Sequence, residues 1–126
     1  MKAFVLAMIL LAVMVTGVFL FGGYLKGVSE EMLAMTESAA QAADNGQWEQ
    51  ALREAERVEE VWREKTDRLT LLVNHVTLDG VTISVLRLKE FIRCEDKSET
   101  MAELAALKHL LGHLHEREQL TLKNIL

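Results

Sequence analysis

The sequence contains no proline, one cysteine and few aromatic residues, and these shortages limit the folds that it can adopt. The aromatic residues are four Phe, two Trp and one Tyr, whereas hydrophobic residues make up 50% of the chain. Aliphatic helices therefore fit the composition better than an aromatic-rich β-sandwich. Because Cys94 has no second cysteine to pair with, an intrachain disulfide is excluded. We expect its side chain to be buried or partly buried, since the neighbouring Glu95 and Asp96 disfavour a reactive thiolate.

Charged residues are absent from Ala3 to Leu25, a run of 23 residues. A helix of this length spans about 34 Å, which exceeds a hydrocarbon core of roughly 30 Å. A cleavable signal peptide is the alternative, but its apolar region is usually about 7–15 residues long and ends at an A-x-A-like site. The nearest such triplet, at residues 40–42, comes too late. We therefore expect an uncleaved, single-pass membrane anchor over residues 1–26 and a helical domain over residues 27–126, with the amino terminus inside and the domain outside.

Acidic residues are confined to the part of the chain that follows Lys26. All 19 lie there, together with 12 of the 14 Lys and Arg once Lys2 and Lys26 are set aside, so this part carries a net charge of −7. Such a domain repels nucleic acid, and we expect no nucleic-acid partner. Its length, about 100 residues, suffices for one hydrophobic core and not for two.

Helical spacing of apolar residues predicts two helical hairpins, over residues 29–76 and 78–117. Ser29 is expected to cap the first helix, which ends at the turn Asp44-Asn45-Gly46. The second helix begins near Trp48 and continues for about 28 residues. Its apolar stripe is formed by Trp48, Leu52, Ala55, Val58, Trp62, Leu69, Val73 and Val76.

The segment from Val76 to Leu86 has two interpretations. Asp79-Gly80 between β-branched residues is typical of a two-residue β-hairpin. No other segment offers a third strand, however, and an isolated ribbon is marginal in water. The favoured interpretation is a helix capped by Thr77 or Asp79 that ends near Arg93, followed by a last helix from Ser98. The apolar stripes of these two helices are Leu78, Val81, Val85, Leu88 and Ile92, then Met101, Leu104, Leu107, Leu111 and Leu114.

Two groups of residues near the carboxyl terminus are candidate sites. Leu122, Ile125 and Leu126 make an apolar chain end, which we expect to dock against the hairpins or a partner protein. His109 and His113 are four residues apart on one helix face, the spacing at which two imidazoles can share a zinc ion. Because the HExxH motif is absent, we predict no metal site. If the chain does bind a metal ion, His109 and His113 are the candidate ligands.

No Ser/His/Asp set, Gly-rich phosphate loop or CxxC motif is found in the sequence. We therefore expect no enzymatic activity, no catalytic residue, no cofactor and no small-molecule substrate.

The chain carries a series of marks, in this order: Trp62, His75, Arg87-Leu88-Lys89, Asp96-Lys97-Ser98, residues 102–108 and the closing residues 122–126. In these marks it resembles the bacterial domain of unknown function family 4363. The resemblance covers nearly the whole chain and implies a small, single-span bacterial membrane protein with a helical domain. The family has no assigned activity, so it implies no catalytic residue, and the histidines at 109, 113 and 115 are not among its marks.

Taken together, these features predict an all-α protein with an amino-terminal transmembrane helix followed by a small bundle of about four helices. The leading hypothesis for its function is a membrane-anchored interaction module, an accessory or scaffold subunit for a larger membrane or envelope protein. The bilayer and that protein are then its partners. The alternative is a metal- or pH-responsive sensor that uses the carboxyl-terminal histidines.

Overall fold

The computed structural model describes the backbone of residues 1–71 and 73–125, and the side chains of those residues except His115 and residues 117–125. Over these ranges the chain forms four α-helices and no strand. The helices are α1 (Lys2–Asp44), α2 (Trp48–Leu69), α3 (His75–Arg93) and α4 (Lys97–Ile125). The predicted all-α fold, a long apolar amino-terminal helix together with a helical bundle, is confirmed.

Helix α1 runs for 43 residues without interruption, so the predicted helix start at Ser29 is wrong. Ser29 lies inside the bundle, and its hydroxyl donates a hydrogen bond to the Leu111 carbonyl oxygen in α4. A glycine in a helix interior costs only about 1 kcal/mol, so Gly27 does not end the helix. Leu25 and Val28, on either side of Gly27, are both buried in the core. The helix therefore passes without a break from the apolar run into the bundle.

The first half of α1 exposes most of its large apolar side chains, from Phe4 to Leu20. Within the described residues, α1 is the one helix that is long and apolar enough to cross a membrane. Its most apolar 18-residue window has a mean hydropathy of 2.8, and none of that window is buried. A helix that is apolar on all sides needs apolar surroundings. This half of α1 is therefore a candidate for a single membrane span.

The second half of α1 packs with the other helices as an antiparallel bundle. Helices α1 and α3 each contact both α2 and α4, so consecutive helices are neighbours around the bundle. Ion pairs from Lys97 to Asp44 and from Lys108 to Glu37 show that α4 runs antiparallel to α1. The largest buried side chains are Leu25, Met32, Val58, Trp62, Leu69, Val81, Val85, Leu88, Ile92, Leu104, Leu107, Leu111 and Leu114.

Helix α2 ends at Leu69 after 22 residues, earlier than predicted. Apolar spacing suggested a longer helix because Val73, in the α2–α3 turn, is also buried. Helix α3 begins after Asn74, whose Oδ1 accepts a hydrogen bond from the Val76 amide over 2.8 Å. Asn74, and neither Thr77 nor Asp79, is thus the N-cap. The helical interpretation of this segment is confirmed over the β-hairpin.

Two turns of the same kind close the opposite end of the bundle. After α1, the Gln47 amide donates to the Ala42 carbonyl over 2.9 Å, and after α3 the Asp96 amide donates to the Phe91 carbonyl over 3.1 Å. This pattern is the Schellman motif, which places one residue in the left-handed region. That residue is Gly46 in the first turn, where the sequence predicts a turn, and Glu95 in the second, with φ of 73° and 53°.

Helix α4 begins at Lys97, after Asp96, whose Oδ1 accepts a hydrogen bond from the Glu99 amide over 3.0 Å. The predicted start at Ser98 is one residue late, because the Asp96 carboxylate caps the helix in place of the Ser98 hydroxyl.

Candidate interaction surfaces

A groove between α2 and α3 combines polar and apolar side chains. Its volume is about 330 Å³. We define this α2–α3 groove by its lining residues: Glu59, Trp62, Arg63, Thr66 and Asp67 of α2, and Thr82, Val85 and Leu86 of α3. Charged groups of both signs therefore lie beside an apolar floor, a composition suited to binding a peptide or helix.

The floor of the groove is fixed by the Trp62 indole. The ring is buried, as the sequence predicts, and its Nε1–H donates a hydrogen bond to Thr82 Oγ1 over 2.9 Å. The Thr82 hydroxyl in turn donates to the Leu78 carbonyl oxygen over 3.1 Å. Each polar atom of the indole–hydroxyl pair thus has a partner, and the pair links the two helices that form the groove.

One edge of the groove is closed by an ion pair between helices. The Lys89 ammonium group of α3 donates a hydrogen bond to a carboxylate oxygen of Glu59. The second oxygen of Glu59 accepts a hydrogen bond from Arg63 Nη2 over 3.0 Å, and these two residues are one helical turn apart on α2. The hydrogen bond from Lys89 is the main cause that holds the pKa of the Glu59 carboxyl below its ordinary value, and it outweighs the opposing effect of burial.

Two large apolar side chains of α3 are exposed here: Leu86, which lines the groove, and Ile83, which lies outside its lining. Ile83 is 52% exposed and Leu86 is 47% exposed. Farther round the helix, Ser84 and Arg87 both donate to Glu103 Oε1 of α4, over 2.8 Å and 3.1 Å. This contact holds α3 against α4, so the exposed apolar residues belong to a helix fixed on both sides.

The end of the bundle nearest the apolar half of α1 carries a second exposed apolar group. Leu71 is 89% exposed in the α2–α3 turn, and Val76 is 75% exposed in the first turn of α3. We call the bundle end that contains them the α2–α3 end. On the neighbouring face of the bundle, the Lys65 ammonium lies 5.9 Å from the centre of the Tyr24 ring.

The candidate histidines lie together on the exposed surface of α4. The rings of His109 and His113 make an edge-to-face contact with centroids 4.3 Å apart. His113 Nδ1 lies 2.7 Å from Glu116 Oε2. Among the described side chains, no three His, Cys, Asp or Glu residues are placed to hold one metal ion. His75 is exposed at the start of α3, and the side chain of His115 lies outside the described residues.

The predicted docking residues at the chain end are only partly covered by the structure. The backbone of Leu122 and Ile125 belongs to α4, but their side chains, and all of Leu126, lie outside the described residues. Cys94, by contrast, is described and is exposed, so the prediction of a buried or partly buried thiol is wrong. The reason is its place at the end of α3, where the chain turns away from the core.

Sequence reasoning identified Trp62 but missed the groove around it. Apolar spacing shows which face of one helix is buried, whereas Thr82 and Lys89 gain their roles from contacts with α2 across the bundle. The available signal was Thr82, a polar residue one position from the apolar stripe of α3. The exposure of Leu71 was not predicted either. The available signal was its spacing, because Leu71 does not share a helix face with the apolar stripe of α2.

A family model described as a domain of unknown function (DUF4363) matches residues 19–125 of the chain. No curated protein matches the chain, and no solved structure matches the chain.

Proposed function

Because the chain belongs to the DUF4363 family, which carries no assigned activity, we propose its function from the fold: a membrane-anchored helical interaction module without enzymatic activity. It serves as an accessory or scaffold subunit for a larger membrane or envelope protein. The first half of α1 is a single-pass anchor in the bacterial cell membrane, and the bundle stands on the extracytoplasmic side. The bilayer and the larger protein are its partners.

The observation that carries the proposal is the change of environment along α1. Its first half exposes apolar side chains on every face, and its second half supplies one side of the bundle core. Transfer of that apolar surface from water is favourable by about 25 cal/mol per Å². A bilayer provides such transfer for the first half, as the bundle core does for the second.

Membrane residence is tested by washing membranes that contain the full-length chain. The protein should stay in the bilayer fraction through high salt and through alkaline carbonate, because the burial of apolar side chains does not depend on charge. A protein that salt alone releases would refute the anchor. A mature chain that begins near residue 27 or 43 would show a cleaved signal instead.

The docking surface that fits the proposed partner is the α2–α3 groove, which includes the exposed Leu86, together with the exposed Ile83. An amphipathic helix of a membrane or envelope protein can place apolar side chains on this floor and basic or acidic side chains against Glu59 and Arg63. The carboxyl-terminal residues Leu122, Ile125 and Leu126 are a second docking element in this proposal.

A photo-crosslinking amino acid at Leu86, introduced into the full-length protein in bacterial membranes, tests the groove. We expect a discrete crosslinked product that is absent with the same probe at Ala105, an exposed position on α4. A product at both positions, or at neither, would contradict docking in the groove. Deletion of residues 122–126 then separates two roles of the chain end: a lower melting point indicates internal docking, and an unchanged melting point with loss of the crosslink indicates partner binding.

The metal- or pH-responsive sensor is the second candidate, and the contact between His109 and His113 supports it. Protonation of both rings places two positive charges 4.3 Å apart, which weakens the contact. Melting curves of the full-length protein in detergent, with and without zinc and at pH 5.5 and 7.5, test this function. A sensor requires a shift that His109→Gln and His113→Gln remove.

A further inference from the structure

The contacts of Lys65 show which residues of α2 and α1 lie side by side along the bundle axis; we call position along this axis the height. Its ammonium lies 3.9 Å from Glu31 Oε2 and 5.9 Å from the centre of the Tyr24 ring. Lys65 therefore lies beside the stretch of α1 between these two residues. Since α2 runs antiparallel to α1, each later residue of α2 lies nearer the apolar half of α1.

Four more residues bring α2 to its end at Leu69, about 6 Å farther along. The exposed Leu71 follows in the turn, so it lies at the height of Tyr24 or beyond it toward Leu20. Val76 is at a similar level along the bundle, because Trp62 of α2 bonds to Thr82 of α3 and one turn joins the end of α2 to the start of α3. Two exposed aliphatic side chains thus lie where the uncovered apolar surface of α1 ends.

The opposite end of the bundle has a different composition. It contains Asp44, the last residue of α1, followed by Asn45 and Gln47 in the first turn, and Glu95 and Asp96 in the turn after α3. An exposed leucine in a turn is therefore a feature of the α2–α3 end and not of the bundle turns in general. Tyrosine is also enriched where membrane proteins meet the lipid headgroups, and Tyr24 lies at this end.

We propose that the α2–α3 end is a second membrane-contact site, at which Leu71 and Val76 enter the interfacial layer of the bilayer beside α1. The occupant of this surface is lipid, because Leu71 and Val76 lie at the level along the bundle at which the uncovered apolar surface of α1 ends. The inference rests on the proposed anchoring of α1. With two points of contact, the bundle is held in one orientation against the bilayer, since a single helix alone leaves rotation about its axis free.

Depth-dependent fluorescence quenching in liposomes tests the site on the full-length protein. The background is Cys94→Ser, and single cysteines at Leu71→Cys or Val76→Cys carry an environment-sensitive fluorophore. Both positions are exposed, so the substitutions leave the core intact. The wild-type Cys94 is the control at the polar end of the bundle, and Ile9→Cys in the Cys94→Ser background is the control within the proposed span.

We expect blue-shifted emission from the probes at 71 and 76 and stronger quenching by lipids that carry a nitroxide high on the acyl chain than by lipids labelled near the chain end. That pattern corresponds to a depth of about 5–10 Å below the headgroup boundary. The probe at Cys94 should stay water-exposed, and the probe at Ile9 should be quenched best by the deeper nitroxide.

Three outcomes would overturn the inference. Probes at 71 and 76 that behave like Cys94, while Ile9 is quenched, would reject the second contact and leave the anchor standing. A blue shift without quenching by lipid would assign the surface to protein contacts. A probe at Ile9 that no lipid quenches would reject the anchor, and the second contact with it.

Discussion

The Trp62 indole of α2 and the Thr82 hydroxyl of α3 form a hydrogen bond of 2.9 Å across the floor of the α2–α3 groove. The bond gives a buried N–H group its acceptor and couples two helices whose other polar link in the groove is the Glu59–Lys89 ion pair. Its loss should therefore affect both stability and the geometry of the groove.

Replacing Thr82 by Val should lower the free energy of unfolding by about 1–3 kcal/mol, because the indole N–H is left buried without an acceptor. Chemical denaturation of the full-length protein in detergent measures this loss. Thr70→Val is the matched control, since the Thr70 hydroxyl bonds to an exposed carbonyl one turn earlier. Both hydroxyls donate to the carbonyl oxygen four residues earlier, so an equal loss in both variants would show that the effect reflects that bond and not the indole.

Truncation of the indole itself should cost more. Trp62→Ala removes a buried ring from the core and should destabilise the protein by about 3–5 kcal/mol. Trp48, at the start of α2, is only half-buried, so Trp48→Ala should cost less. The same denaturation experiment compares the two, and equally small losses would mean that the α2 stripe does not face a core.

The Glu59–Lys89 ion pair predicts a dependence of stability on pH. Because the pKa of Glu59 is lower in the folded protein than in the unfolded chain, its contribution is present above the ordinary glutamate pKa and is lost as the pH falls through the lowered value. Glu59→Gln should cost about 1 kcal/mol at neutral pH. Unfolding measured from pH 7 to pH 3 should show the variant and the wild type converging.

Glu90→Gln is the control for this experiment. Glu90 and Arg93 form an ion pair within α3, and both side chains are exposed. Replacing Glu90 should therefore change stability little at any pH. A difference between Glu59→Gln and wild type that stays constant down to pH 3 would contradict a role for the carboxylate charge.

In the two Schellman turns, removing a glycine and introducing one should have opposite effects on stability. Gly46 has φ of 73° and no neighbouring atom within 4 Å of an added Cβ, so Gly46→Ala meets only backbone strain and should destabilise by about 1 kcal/mol. Glu95 has φ of 53°, and Glu95→Gly should stabilise by a similar amount, about 0.5–1 kcal/mol. Melting temperatures should move in opposite directions, and a lower value for both variants would refute the strain at Glu95.

Much of the fold follows from the sequence, because a helix that is buried on one side carries apolar residues that recur every 3.6 residues. Leu78, Val81, Val85, Leu88 and Ile92 are all buried, as their spacing predicts. Helix ends were harder to place. Val73 keeps the phase of the α2 stripe although it lies in the turn, and Ser29 resembles an N-cap although its hydroxyl bonds across the bundle to α4.

The groove could not be predicted in the same way. Periodicity ranks the faces of one helix, and the pairing of Glu59 with Lys89 depends on how α2 and α3 are set against each other. The Glu59–Arg63 pair was predictable since both residues lie on one helix. Contacts within a helix can thus be read from spacing, while contacts between helices need the bundle.

The uninterrupted course of α1 also sets the reach of the protein. From Leu25, where burial begins, to Asp44, where α1 ends, the helix rises about 28 Å. Because no flexible linker separates the proposed anchor from the bundle, an anchored domain would not search a wide volume as it would on a flexible tether. On the proposed membrane, it meets only partners whose surfaces come within one bundle height of the lipid, and it meets them by diffusing in two dimensions.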